Sequence, residues 1–230
     1  LSALTIAQAV ARDSGFSVPA TLVGNSDDTA SMLLALLNKS GKALAGYSWQ
    51  VLQKEGTVTT VASTPSYALP ADYGWIENNT LWDRTNLWKD RGSLTPSEWQ
   101  AYKSGIASTT PRSRFRVKLG RLYIDPTPSS VVTLAYEYVS NQWCWDGVSA
   151  YANNFVTDNY VSLIDEYLLE LDVTWRFLAR KGMAYAEEKA EADDQIWTAL
   201  GQDVPKGPVN LGDDNVPWPP LPTWPYTGLS

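Results

Sequence analysis

Apolar positions along this chain follow two periods, and the switch between them divides it into blocks. Met32, Leu33, Leu36, Leu37 and Leu44 fall on one helical face. Ser26 is the expected N-cap, Asp27 and Asp28 occupy the first turn, and Gly46 is the expected stop, giving a helix over 26–46. A shorter helical pattern over 5–14 precedes it and ends at Gly15. From 49 to 140 the period is two. Gly56 to Ala62 alternates with β-branched residues, and Tyr67 and Leu69 continue that period past a turn at Thr64-Pro65. Pro70 cannot donate to a ladder and ends the strand; Asp72 is expected to close a local Asx turn. Leu81 to Asp83 and Leu87 to Lys89 predict two short strands.

Thr95-Pro96-Ser97-Glu98 is a capping box with proline at the first helical position, predicting a short helix over 96–103. Phe115 to Asp125 predicts a hairpin turning at Gly120. Phe115, Val117 and Leu119 should share one face of it, and Arg112, Arg114, Arg116 and Lys118 the other. Val131 to Val139 is the last strand. Ile164, Leu168, Leu171, Trp175 and Leu178 then step by four and three, predicting a helix over 163–181 that breaks at Gly182. A second helix over 184–200 should pack antiparallel on it. The order predicts an α+β fold, in which two N-terminal and two C-terminal helices pack with a small antiparallel β domain in a single unit over 1–201. Residues 202–230 hold 7 of the 14 prolines and have no helical or strand period, which reads as an extended arm.

Composition narrows the chemistry. Among 230 residues there are 11 Trp and 12 Tyr but no His, so the commonest general base and metal ligand is missing. Cys144 is the single cysteine and is expected to be a small buried hydrophobe. No metal-ligand spacing or phosphate-binding glycine loop occurs, and no cofactor is expected. The charge is divided: 13 Lys/Arg face 11 Asp/Glu in residues 1–142, and 5 face 14 in residues 143–230. The acidic second part argues against a nucleic-acid clamp. No apolar run reaches the ~20 residues of a membrane span. Leu1 to Val10 has no signal-peptide pattern, so a soluble chain made in the cytoplasm is expected.

Three features could bind. Trp143, Trp145 and Tyr151 could stack on sugar rings, as in a carbohydrate-binding module, or could cover the rim of the core. The basic stripe Arg112, Arg114, Arg116 and Lys118 could be solvated or could meet an acidic neighbour across subunits, where it would set register. In the arm, Trp218, Trp224 and Tyr226, with Pro219 and Pro220, could anchor on a partner at low entropy cost. A hydrolase would need a buried carboxylate in an apolar setting, and no carboxylate pair at a telling spacing is apparent.

Several stretches, in this order, resemble the head-to-tail adaptors of tailed bacteriophages, the tail tubular protein A-like family of short-tailed phages. They are WQVLQKEGTVTTVASTPSYALPADY, NNTLWDRTN, LTPSEWQ, FRVKLGRLYIDP, LAYEYVSN and LLELDVTWRFLARKGMAYAEE, spanning about 26–200. The resemblance implies a structural virion protein without catalytic residues, helices beside a small β domain, and a ring, usually of twelve copies. Such a ring sits at the head–tail junction between portal and tail nozzle or tube and extends the DNA channel. It also implies that the C-terminal arm grips the portal. An acidic helical region facing the channel would let DNA pass without sticking.

Overall fold

The computed structural model describes residues 1–105 and 113–203. Helix α1 (Ala3–Asp13) is capped by Ser2, whose hydroxyl accepts the Thr5 N–H at 3.3 Å. Helix α2 (Asp28–Leu44) starts one residue later than Ser26 would place it. Asp27 is the cap, accepting the N–H groups of Thr29 and Ala30, both at 3.0 Å, while Asn25 accepts the N–H of Asp27. A carboxylate that reaches two orphan donors displaces the neighbouring hydroxyl from that role. A single 3-10 turn (Gln50–Leu52) leads into the strands.

The strands follow as β1 (Gln53–Thr59), β2 (Ser66–Ala68), β3 (Tyr73–Ile76), β4 (Trp82–Asp83) and β5 (Trp88–Lys89). After helix α3 (Pro96–Lys103) come β6 (Arg114–Lys118), β7 (Arg121–Asp125) and β8 (Thr133–Ser140). Three two-residue strands close the β region: β9 (Cys144–Trp145), β10 (Tyr151–Ala152) and β11 (Val161–Ser162). Helices α4 (Glu166–Lys181) and α5 (Ala186–Asp203) end the described chain. The fold is α+β, as expected. The capping box of α3 forms in full, with Thr95 and Glu98 satisfying each other's backbone donors.

Strand β8 organises the largest sheet. It pairs along its length with β1, and on its other edge with β4 and then β3; β5 pairs with β4. A second sheet has the order β2-β7-β6. The turn expected at Thr64-Pro65 separates Tyr67 from the strand that holds Gly56, and the structure adds that the two strands belong to different sheets. The chain turns at 61–64, where the Tyr67 hydroxyl donates to the Thr64 carbonyl at 2.8 Å, and β2 crosses to pair with β7. The period of two survives such a crossing because it reports which face is apolar, not which strand is the neighbour.

The two sheets face each other. Val58, Ile76, Leu134, Tyr136 and Tyr138 of the large sheet pack against Phe115, Leu122 and Ile124 of the small one. Leu119 departs from the expected inward face. It stands in the β6–β7 turn with φ 51° beside Gly120 at 65°, and is 88% exposed. Two successive left-handed residues are the signature of a type I′ turn, which forces position 119 out of the strand alternation.

The second core lies between helices. Ile6 and Val10 of α1, Leu33 and Leu37 of α2, and Leu169, Val173 and Phe177 of α4 form it; Ile196 joins from α5, and Val139 and Trp143 enter from the β region. The buried row of α4 is therefore Leu169–Val173–Phe177, flanked by Leu168, Asp172 and Leu178, and not the row through Leu171 and Trp175. Leu171 and Trp175 are half-buried, and Ile164 is buried but precedes the helix, whose cap is Asp165. A helix in contact with α1, α2 and α5 buries more than one stripe, so a single best row misplaces its centre. Gly182, at φ 72°, ends α4 in the left-handed conformation that only glycine adopts without strain.

Candidate interaction surfaces

Strand alternation assigns the outer face of the small sheet. Phe115 is fully buried and Val117 packs against the β core, so Arg114, Arg116 and Lys118 project from the other side. Across the ladder they meet Asp125, Tyr123 and Arg121. The cations are half-buried by aromatic rings. Arg114 lies over the Tyr102 ring at 4.4 Å, and Lys118 over Tyr123 at 4.3 Å. Arg121 donates to the Ser66 carbonyl and hydroxyl at 3.1 and 3.2 Å. Asp125 is engaged by Lys103 at 2.8 Å, and Arg116 has no ion pair among the described residues. Arg112 lies outside the described residues, as do Trp218, Pro219, Pro220, Trp224 and Tyr226.

The outer face of the large sheet differs. Trp82 stands opposite Ala135, and Glu55 stands opposite Glu137. A shallow cavity here is lined by Glu55, Trp82, Asp83, Arg84, Leu87 and Glu137, among others. Trp82 is 42% and Leu87 80% exposed. Arg84 pairs with Glu55 at 2.5 Å. Asp83 builds the loop, accepting the N–H groups of Thr85 and Asn86. Glu137 has no ion pair among the described residues. Two glutamates directly opposite each other weaken an antiparallel pair, so this face carries an electrostatic cost that one arginine relieves on one side only. Sequence reading missed this face because its residues come from four separate segments.

Aromatic residues also gather at the foot of α5. Tyr47 lies 6.3 Å from Trp197, which is 67% exposed, and the Gln50 N–H donates to Asp203 at 2.7 Å. The arm residues 204–230 follow Asp203 in sequence.

The aromatic cluster predicted after β8 does not act as one platform. Trp143 is fully buried, donating its indole N–H to the Asn153 carbonyl at 3.0 Å and meeting Phe155 edge-on. Trp145 and Tyr151 stack on each other at 6.3 Å, and Lys54 lies over the Tyr151 ring at 4.9 Å.

Two carboxylates have partners that the sequence reading did not foresee. Asp172 is buried and receives Arg176 Nε at 2.8 Å and the Trp175 indole N–H at 2.8 Å. The spacing of four between Asp172 and Arg176 was the available signal. Asp72 does not close an Asx turn. It accepts Lys54 at 2.6 Å, Ser140 at 2.9 Å and the Tyr138 hydroxyl at 3.0 Å. Burial alone would raise its pKa, but the bonds from Lys54, Ser140 and Tyr138 together hold it below the usual carboxylate value. The same burial pushes Tyr138 up to about 12, helped by the Asp72 charge it donates to.

Cys144 is fully buried, as expected, and its thiol faces the carbonyls of Ala152 and Asn154. Burial pushes it up to about 12. It should therefore resist maleimide in the native protein and label only in denaturant; rapid native labelling at pH 8 would contradict this packing. Among the described residues, no group of three or more His, Cys, Asp or Glu could hold a metal, and no helix is long and apolar enough to cross a membrane.

Comparison with known proteins gives a family. The sequence model of the SU10 adaptor protein family matches residues 2–210, so the chain belongs to that family and is a phage head-to-tail adaptor. No curated protein matches it.

Proposed function

We propose that this SU10-type adaptor is a structural protein of the virion that assembles into a ring at the head–tail junction, joins the portal to the tail and continues the DNA channel. The family match over residues 2–210 is the observation that carries this reading. The copies contact one another, the portal on one side and a tail nozzle or tube protein on the other. The protein is made in the host cytoplasm and does its work without chemistry.

Two features support the finer assignment. The foot of α5 exposes Trp197 beside Tyr47, and the arm residues follow from there with Trp218, Trp224 and Tyr226 set among prolines such as Pro219 and Pro220. Aromatic side chains set among prolines lose little conformational freedom on docking and serve as anchors. Helix α5 carries Glu187, Glu191, Asp193 and Asp194 in exposed positions. A channel wall of that sign repels phosphates and lets the genome slide.

Deleting residues 204–230 should leave the domain folded, with an unchanged circular dichroism spectrum, and lower affinity for purified portal at least tenfold by sedimentation or surface binding. Undiminished portal binding by the truncated chain would remove the arm from the reading. A full-length chain that neither forms rings nor associates with portal would remove the adaptor role.

A further inference from the structure

The β domain is a two-layer sandwich whose two outer faces carry different chemistry. One bears Arg116, Lys118 and Arg121, with Leu119 projecting from the adjoining turn at 88% exposure. The other bears a shallow cavity in which Glu55, Asp83 and Glu137 outnumber Arg84, floored by Trp82 and rimmed by Leu87. Each face lacks what the other has. Glu137 stands opposite Glu55 without a cation of its own, because Arg84 serves Glu55. Arg116 has no carboxylate among the described residues. Leu119 is an exposed apolar tip with nothing to cover it, and the cavity presents exposed apolar surface at Trp82 and Leu87.

We infer that the occupant of the acidic cavity is the basic hairpin of a second copy of this chain. Leu119 seats against Trp82 and Leu87, while Arg116, Lys118 and Arg121 approach Glu137 and relieve its cross-strand repulsion with Glu55. The two patches lie on opposite sides of one sandwich and are not the same surface. The contact is therefore heterologous, each copy using its hairpin on one neighbour and its cavity on the other. Such contacts propagate and close into a ring when the rotation between copies allows it. The inference deepens the assembly proposed above and rests on it: it states which faces meet.

Cross-linking tests the pairing directly. Cys144 is buried, so introduced cysteines supply the reactive thiols. Ala68 is exposed and lies opposite Arg121 on the basic face; Leu87 rims the cavity. Full-length Ala68→Cys/Leu87→Cys, treated with a short bis-maleimide alone and with purified portal, should give a ladder of dimers, trimers and higher species on a denaturing gel. Each single variant should stay monomeric, since like positions do not meet. In the double-cysteine background, Arg116→Glu with Lys118→Glu should abolish the ladder, and adding Glu137→Lys should restore it.

Single variants that cross-link as well as the double one would overturn the head-to-tail geometry. A ladder insensitive to the charge reversals would overturn the assigned contact. Rings on portal with no ladder would overturn this pairing while leaving the adaptor reading intact; absence of both rings and ladder would overturn the two together.

Discussion

Gly41→Ala is expected to lower stability by about 3 kcal/mol, although it replaces a poor helix former with the best one. Gly41 lies inside α2, where alanine would ordinarily contribute about 1 kcal/mol. Here a β-carbon would stand 2.2 Å from two atoms of the Trp143 ring. Carbon atoms in contact prefer roughly 3.5–4.0 Å, so the ring or the helix would have to move by more than an ångström. The ring has no easy retreat. It is fully buried, meets Phe155 at 4.7 Å and is held by its bond to the Asn153 carbonyl. Urea denaturation should show a lower midpoint at an unchanged slope. In a Trp143→Leu background, itself destabilised, the same substitution should become neutral or favourable, because the two sites couple through one contact. A raised midpoint for Gly41→Ala alone would mean that the indole does not rest on the helix.

The second large effect is at Asp72. Asp72→Ala is expected to cost about 2–3 kcal/mol at neutral pH, since it strands the Lys54 ammonium and two buried hydroxyls at once. The figure sits below that for a fully buried pair because Lys54 is 34% exposed and water takes part of its charge. The penalty should depend on pH in a definite direction. The folded protein holds Asp72 below its ordinary pKa, so the unfolded chain binds the proton more readily. The contribution is then complete above the unfolded carboxylate value of about 3.9 and is lost as pH falls through the lower folded value. Thermal melts of the wild type and of Asp72→Asn should differ at pH 7 and converge as the pH drops below about 4. A gap that stays constant from pH 7 to pH 3 would show that Asp72 contributes by shape and not by charge.

Asp72 and Gly41 also mark where sequence reading runs out. An aspartate after Pro70 has a ready local use in an Asx turn, and nothing in its neighbourhood argues against it. Its real partners are 18, 66 and 68 residues away. Gly41 likewise reads as a helix-weakening residue until an indole from residue 143 is laid against it. The basic stripe was legible as a stripe, since alternation along one strand reports a face. What stands on the far side of the sandwich was not, because Glu55, Trp82 and Glu137 are gathered from three strands whose neighbours are a matter of topology.

The sequence by itself determined the local geometry and the lineage. The α3 capping box, the hairpin turn at Gly120, the glycine stop of α4 and the order of helices and strands all rest on contacts within about five residues. Their energies favour one conformation wherever the segment sits. The ordered motifs were enough to point to the phage adaptors, as the family match shows. Only the tertiary structure decided that β2 leaves β1 for another sheet, that Asp72 joins three distant side chains, that α2 yields a β-carbon to Trp143, and that two unlike outer faces back onto one β core. Each of these depends on which distant segment arrives at a given face. Periodicity records that a face must be covered, and chain topology chooses what covers it.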